Sequence, residues 1–298
     1  MDLKQTHNVS MKGKKVIITG PTSGFGKEIA LQLAALDAEI VLACRDLQRG
    51  EQTANEIANR TGKKNCQVMH IDTSNQKSIH EFAKEYSKRY FRLDVLINNA
   101  GINRAQRQMS ADGIELTFAT KVLGYYIPTQ DLLDLLRASA PARIVNVAST
   151  FASDLDIADL QFEQRAYEGR KAYAQSKACN RMLTWALARR LEGSGVIANA
   201  MAPGLVVNTG LYRDTALPIR LILRCLSFFR GRSVAEGADT AIWLASSPEV
   251  DGINGKFFDQ RQEIHCQFRN EEAEEKLWSI CEGMIKDAQL PKSMRSKG

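Results

Sequence analysis

The stretch "GRKAYAQSKACNRM" places Tyr173 and Lys177 four residues apart in a segment that reads as helix. That spacing sets both side chains on one face, one turn apart. A free phenol titrates near ~10 and is a poor acid–base group at neutral pH. A lysine cation one turn away favours the phenolate and moves the phenol toward the range where proton transfer is efficient. Helices also carry many such pairs with no chemical role, so this pair takes its meaning from its surroundings. A second chemical signal lies upstream. "TGPTSGFGKEIA" starts at Thr19, follows a β-branched run and opens a helical pattern, with glycines at 20, 24 and 26. Gly20 allows a tight turn, and Gly24 and Gly26 let the loop backbone and helix N-terminus approach a pyrophosphate. Lys27 raises a P-loop as rival. Gly20 and Gly26 are too far apart for one, and Glu28 stands where a magnesium-binding hydroxyl belongs.

These groups need a scaffold, and the chain alternates from its start. "KKVIIT", "AEIVLAC", "CQVMHID", "LDVLIN", "ARIVNVAS", "VIANAMAP" and "GKFFD" read as strands. Between them lie helical patterns such as "GKEIALQLAAL", "RGEQTANEIANR" and "NQKSIHEFAKEYSKRY", and a longer helical stretch from about 111 to 137. Strands separated by helices imply right-handed βαβ units and an open, doubly wound parallel sheet of about seven strands, an α/β fold. No linker or repeat interrupts the pattern, so one domain over residues 1–298 is expected. A segment over about 205–232 is expected to act as a lid on the substrate. An acidic helix is expected over about 270–286, followed by a frayed tail.

Composition narrows the function classes. Of 298 residues, 44% are hydrophobic and 25% charged, which suits a globular protein with a sizeable core. The net charge of +6 is spread along the chain, without the dense basic and aromatic stripe of a nucleic-acid surface, so no nucleic-acid partner is expected. Six cysteines at 44, 66, 179, 225, 266 and 281 form no close pairs and no metal-ligand spacing, and the four histidines do not join them. Reduced thiols, a cytoplasmic location and no metal follow as expectations. The polar N-terminus reads as neither signal peptide nor anchor, and no apolar run has the length of a membrane span. The most lipid-like segment, "LPIRLILRCLSFFRGR", is interrupted by Arg220 and Arg224. Its apolar residues fit a pocket for a bulky lipophilic molecule, packing on the core, or peripheral contact with a membrane surface.

The glycine spacing T-G-x-x-x-G-x-G resembles that of the short-chain dehydrogenase/reductase family. The resemblance continues through "NNAG" at 98–101, "RIVNVAS" ending at Ser149, Tyr-x-x-x-Lys at Tyr173 and Lys177, and "APGLVVNT" from Ala202. "ACRDLQRGEQTANEI" and "GKFFDQRQEI" are most similar to its retinol dehydrogenase-like branch. The match runs over roughly residues 12–285. It implies a Rossmann-type domain, catalysis by Ser149, Tyr173 and Lys177, and a nicotinamide cofactor. Thr22, Ser23 and Phe25 would join the glycines of the loop. Asp72 and Thr73 would lie at the adenine. Asn99, Ala100 and Gly101 would lie along the ribose and nicotinamide, and Pro203, Gly204, Val206 and Thr209 would also bind the cofactor. Lys177 would also hold the ribose hydroxyls.

Cofactor choice turns on the end of the second strand, where an NAD enzyme presents an acid to the ribose. Here Cys44 stands in that place and Arg45 follows. A guanidinium grips a 2′-phosphate through two hydrogen bonds, which favours NADP(H). The rival is Arg45 as a solvated residue paired with Asp46. Reduction of a carbonyl by NADPH is the expected reaction, with Tyr173 protonating the oxygen and Ser149 donating to it. Reduction of a polarised C=C or C=N bond is an alternative, as is cofactor binding with little turnover. That last alternative draws on one departure from the family. "FATKVLG" puts Lys121 where the family usually carries an asparagine that holds a relay water. A charged lysine cannot accept a hydrogen bond, and it sets a second cation near Lys177. Either the proton relay is rewired through Lys121 or turnover is weak. A homodimer is compatible with the sequence but not specified by it.

Overall fold

The computed structural model describes residues 9–153, 155–204 and 232–289. Seven strands run parallel in one sheet: β1 (Lys15–Thr19), β2 (Glu39–Cys44), β3 (Cys66–His70), β4 (Val95–Asn98), β5 (Ala142–Val147), β6 (Val196–Ala202) and β7 (Phe257–Asp259). An eighth, β8 (Gln262–Glu263), returns antiparallel on β7. The order is β3-β2-β1-β4-β5-β6-β7-β8. The direction of winding therefore reverses between β1 and β4, where the carboxyl ends of the strands open a crevice.

Burial on both faces explains the continuous apolar strands. Val16 and Ile18 enter one core layer while Ile17 enters the other, and Ile40 and Leu42 alternate with Val41 and Ala43 in the same way. On one face lie α1 (Gly24–Ala35), α2 (Leu47–Thr61) and α8 (Val234–Ser246). Ser233 and Glu236 close α8 with a capping box. Asp46 caps α2 by accepting from the Arg49 N–H at 3.0 Å. The other face carries α3 (Gln76–Arg89), α5 (Gly124–Asp131), α7 (Gly169–Arg190) and α9 (Glu271–Gln289). Buried Phe82, Ile127, Met182, Trp185 and Leu277 fill that layer. Helix α9 is clamped to α7. Arg189 pairs with Glu274 and Glu275, and the Arg190 guanidinium lies 4.0 Å from the Trp278 ring centroid.

Three local features depart from the sequence reading. The expected helix from 111 to 137 is broken. A short α4 (Leu116–Phe118) runs into a π-helical turn (Ala119–Leu123), then α5, then α6 (Leu133–Ala138). Gly124 lies so close to Thr73 that a Cβ would sit 2.6 Å from its carbonyl oxygen, and Pro128 has no N–H to give to the preceding turn. Helix α8 and strand β8 were not anticipated. The C-terminal helix was anticipated over 270–286 and spans Glu271–Gln289. Among the described residues no helix is long and apolar enough to cross a membrane. All of the expected lid except Arg232 lies outside the described residues, and so do Val206 and Thr209.

Candidate active site

The loop after β1 builds one wall of a cleft of about 380 Å³ at the winding reversal. Gly20 has φ +66, and a Cβ there would come 2.9 Å from the Ala100 Cα. Only glycine meets both demands. A Cβ on Gly26 would lie 2.3 Å from the Gly20 carbonyl oxygen, so Gly26 lets α1 start against the loop rather than facing the cleft itself. Thr22, Ser23, Gly24 and Phe25 line the cleft with Gly20. Ser23 precedes α1 without a side-chain cap, so the first turn's N–H groups stay available to an anion. Lys27 is turned to Glu56 on α2 and takes no part, as the glycine spacing required.

Asn99 secures this wall. Its side-chain amide donates to the carbonyls of Thr19 at 2.9 Å and Gly20 at 3.1 Å, while the Thr19 hydroxyl accepts from the backbone N–H groups of Asn99 and Ala100. Asn99, Ala100 and Gly101 all line the cleft, with Asn99 also holding the loop in shape. Asp72 and Thr73 line the side toward β3. One Asp72 oxygen is occupied by the Ser74 N–H and hydroxyl, at 2.9 and 2.6 Å.

At the end of β2, Cys44 is buried, its thiol donating to the Asp46 carbonyl at 3.3 Å. Burial, reinforced by Asp46, pushes that thiol up to about 11, so it stays neutral. Arg45 is exposed, lines the cleft and makes no ion pair with Asp46, whose carboxylate caps α2 instead. Arg49 lines the same corner. The sequence reading missed it, although its place in the first turn of α2 beside Arg45 was a signal. Arg104, soon after Gly101, is a second missed cation of the cleft.

Tyr173 and Lys177 reach the opposite wall from α7, whose path lies against β5 and β6. Lys177 is 4% exposed, and its Nζ donates to the Val147 carbonyl at 2.6 Å. It lies 5.9 Å from the Tyr173 ring centroid and 5.4 Å from that of Tyr125. Burial first, and the charge of Arg181 second, press its ammonium down to about 7. Lys121 comes from the π-helical turn and is 1% exposed. Its Nζ stands 4.2 Å from the Tyr173 ring centroid and close beside Gly101. Among the described residues it makes no hydrogen bond or ion pair. Burial, with Lys177 second, holds it well below the usual lysine range. The departure at Lys121 thus lies in the cleft and not in solvent.

Val147 and Ala148 line the cleft at the end of β5, and Ser149 follows them in the chain without itself belonging to the lining. The Ser149 hydroxyl accepts from the Phe151 N–H at 3.0 Å, which leaves the hydroxyl proton to be donated elsewhere. Pro203 lines the cleft at the end of β6. Gly204 follows with φ +73, against the Arg232 side chain that pairs with Asp259.

The loop that leaves no room for a side chain at positions 20 and 26, the uncapped helix start and the cationic corner at β2 fit a dinucleotide, and a tyrosine–lysine pair faces them. Fold and site together are those of a pyridine-nucleotide oxidoreductase, and the chain belongs to the short-chain dehydrogenase family, whose model matches residues 14–217. Within it the chain is retinol dehydrogenase-like. It is 36% identical over 293 residues to human retinol dehydrogenase 14, covering 92% of this chain and 87% of that protein. It is 39% identical over 282 residues to human retinol dehydrogenase 12, with 92% and 87% covered. Among solved structures, the NADP complex of RhlG from Pseudomonas aeruginosa matches with a TM-score of 0.68 at 28% identity, covering 84% of this chain and 95% of that one.

Proposed function

We propose that this chain is an NADP(H)-dependent oxidoreductase that interconverts the carbonyl and alcohol of a bulky hydrophobic small molecule. The observation that carries the reading is that one cleft brings Tyr173 and Lys177 to face a cationic corner, Arg45 and Arg49, and that Asp46, which follows Arg45 in the chain, is committed to a helix cap. When bound, the nicotinamide cofactor supplies or accepts hydride. Arg45, helped by Arg49, grips the 2′-phosphate, and the loop from Gly20 to Gly26 admits the pyrophosphate. Tyr173 delivers a proton from its phenol oxygen to the carbonyl oxygen, and Ser149 donates a hydrogen bond to that same oxygen. Lys177, sitting near its point of half-protonation, holds the ribose hydroxyls and keeps a positive charge or a mobile proton beside Tyr173. Lys121, over the ring face, occupies the place of the family's asparagine, and burial with the charge of Lys177 makes its amine readier to give up its proton than an ordinary lysine, so that it exchanges protons with the site.

The lipophilic substrate class is supported by the apolar composition of residues 205–232 and by relatives named for retinol. Five described cysteines are all free, which suits the reducing cytoplasm. A panel of lipophilic aldehydes and ketones, retinal among them, tests the reading through carbonyl-dependent loss of NADPH absorbance, with NADH in parallel. Turnover on at least one member with NADPH preferred is expected. A second reading, cofactor binding with little turnover, is favoured by Lys121 alone. Tight NADPH binding with no member turned over would select it.

A further inference from the structure

Two successive turns of α7 grip the chain as it leaves β5. Lys177 donates to the Val147 carbonyl, and Arg181, one turn on, donates through Nη2 to the Ser149 carbonyl. Arg181 is only 4% exposed. Its Nη1 reaches the Cys266 sulfur at 3.2 Å, and its guanidinium lies 4.0 Å from the Phe257 ring centroid and 5.7 Å from that of Phe268. Its Nε has no hydrogen-bond partner, and no carboxylate pairs with it among the described residues. A buried, acid-free guanidinium is costly, and an apolar side chain of similar length would pack against Phe257 and Phe268 without that cost. Packing alone therefore does not account for the charge.

What the charge faces does account for it. The groups around Lys177 are Tyr173 and Arg181 on its own helix, Lys121 on the π-helical turn, Tyr125 on α5 and the Val147 carbonyl on β5. None of these is a carboxylate. Arg181 is also tied to the backbone of Ser149, the residue next to Ala148, which lines the cleft. We propose that Arg181 is a positioning residue of the active site, anchoring the backbone of Ser149 and pressing its positive charge on Lys177. The inference rests on the reading of Tyr173 and Lys177 as the catalytic pair. Removing the charge makes Lys177 easier to protonate, so its titration moves to higher pH. Removing the hydrogen bond frees the carbonyl of Ser149 and misplaces its hydroxyl.

The test uses the full chain with Arg181→Met, Arg181→Gln and Arg181→Lys, and Lys177→Met as reference. NADPH affinity is read by fluorescence between about pH 6 and 9, with the rate on an aldehyde that the parent reduces. The parent is expected to show an inflection near 7 that Lys177→Met abolishes. In Arg181→Met that inflection moves up by about one pH unit and the rate falls about tenfold or more. Arg181→Gln, which keeps a donor without the charge, shows the same pH shift with a smaller loss of rate. Arg181→Lys keeps the charge and returns the inflection to the parent's position. If Arg181→Met does not fold, the Gln and Lys variants carry the comparison. Loss of melting temperature with an unmoved inflection in Arg181→Gln overturns the proposal and leaves Arg181 a packing residue. A parent with no Lys177-dependent inflection overturns the site reading itself, and the proposal with it.

Discussion

Replacing Arg45 with aspartate tests cofactor choice at a single position. Arg45 is exposed at the mouth of the cleft, makes no ion pair with its neighbour and stands at the carboxyl end of β2, where a ribose 2′-substituent would meet it. A net hydrogen bond to a charged group is worth about 1.5–3 kcal/mol, and exposure places Arg45 at the lower end. Aspartate removes that contribution, repels a phosphate and offers an acceptor to the two hydroxyls of an unphosphorylated ribose. The preference for NADPH over NADH should fall by at least ~1.4 kcal/mol, or tenfold. Arg49 stays in place, so part of the preference survives, and Arg45→Asp with Arg49→Ala should lower it further. The assay is fluorescence titration of both cofactors at low and moderate salt, because an exposed charge contact weakens as ionic strength rises. An unchanged ratio in Arg45→Asp would refute the argument that this guanidinium discriminates.

Other expectations follow from the same geometry. Gly26→Ala drives a Cβ into the Gly20 carbonyl and should weaken NADPH binding at least about tenfold, read by the same titration. Lys121→Met removes a buried amine that has no hydrogen bond among the described residues, so the melting temperature should hold or rise. It should also slow turnover more than Lys121→Asn, which can still hold a relay water, and both should reshape the pH–rate profile. Parent-like profiles in both would end the proton-relay role. Lys177 is depressed to about 7 in the folded chain, so between that pH and the ordinary lysine value the unfolded state binds a proton that the native state does not. Stability should therefore rise with pH above about 7, by up to about 1.4 kcal/mol per unit, and Lys121 acts with the same sign. The usable window closes near 9, where unfolded thiols ionise while Cys44, Cys66, Cys179 and Cys281, all raised by burial, do not, and together they reverse the slope. Urea unfolding of the parent and Lys177→Met across this window should show a shallower slope in the variant.

The strands were readable because both sheet faces are covered, which demands unbroken apolar runs such as "VIIT" and "IVLAC". The glycine loop was readable because Gly20 and Gly26 answer steric demands that no other residue meets. Helix α8 escaped notice because alanines and a glycine dominate it, and β8 because a two-residue strand has no period. The break around Lys121 comes from a close approach to Thr73 that no local pattern encodes. Arg49, Arg104 and Arg181 were missed for a shared reason. Each looks like a solvated helix or loop cation in sequence, and only the packing of α2, α7 and the loop after β4 brings them to the cleft or its supporting backbone.

The central claim is that Tyr173 gives the proton. Tyr173→Phe keeps the ring, its contact with the Lys121 amine and its packing against Phe151, and removes only the phenol oxygen. On an aldehyde reduced by the parent, the account predicts NADPH affinity within about twofold and turnover lower by at least about 100-fold, the low end for loss of general acid catalysis. Near-normal turnover in Tyr173→Phe would contradict it.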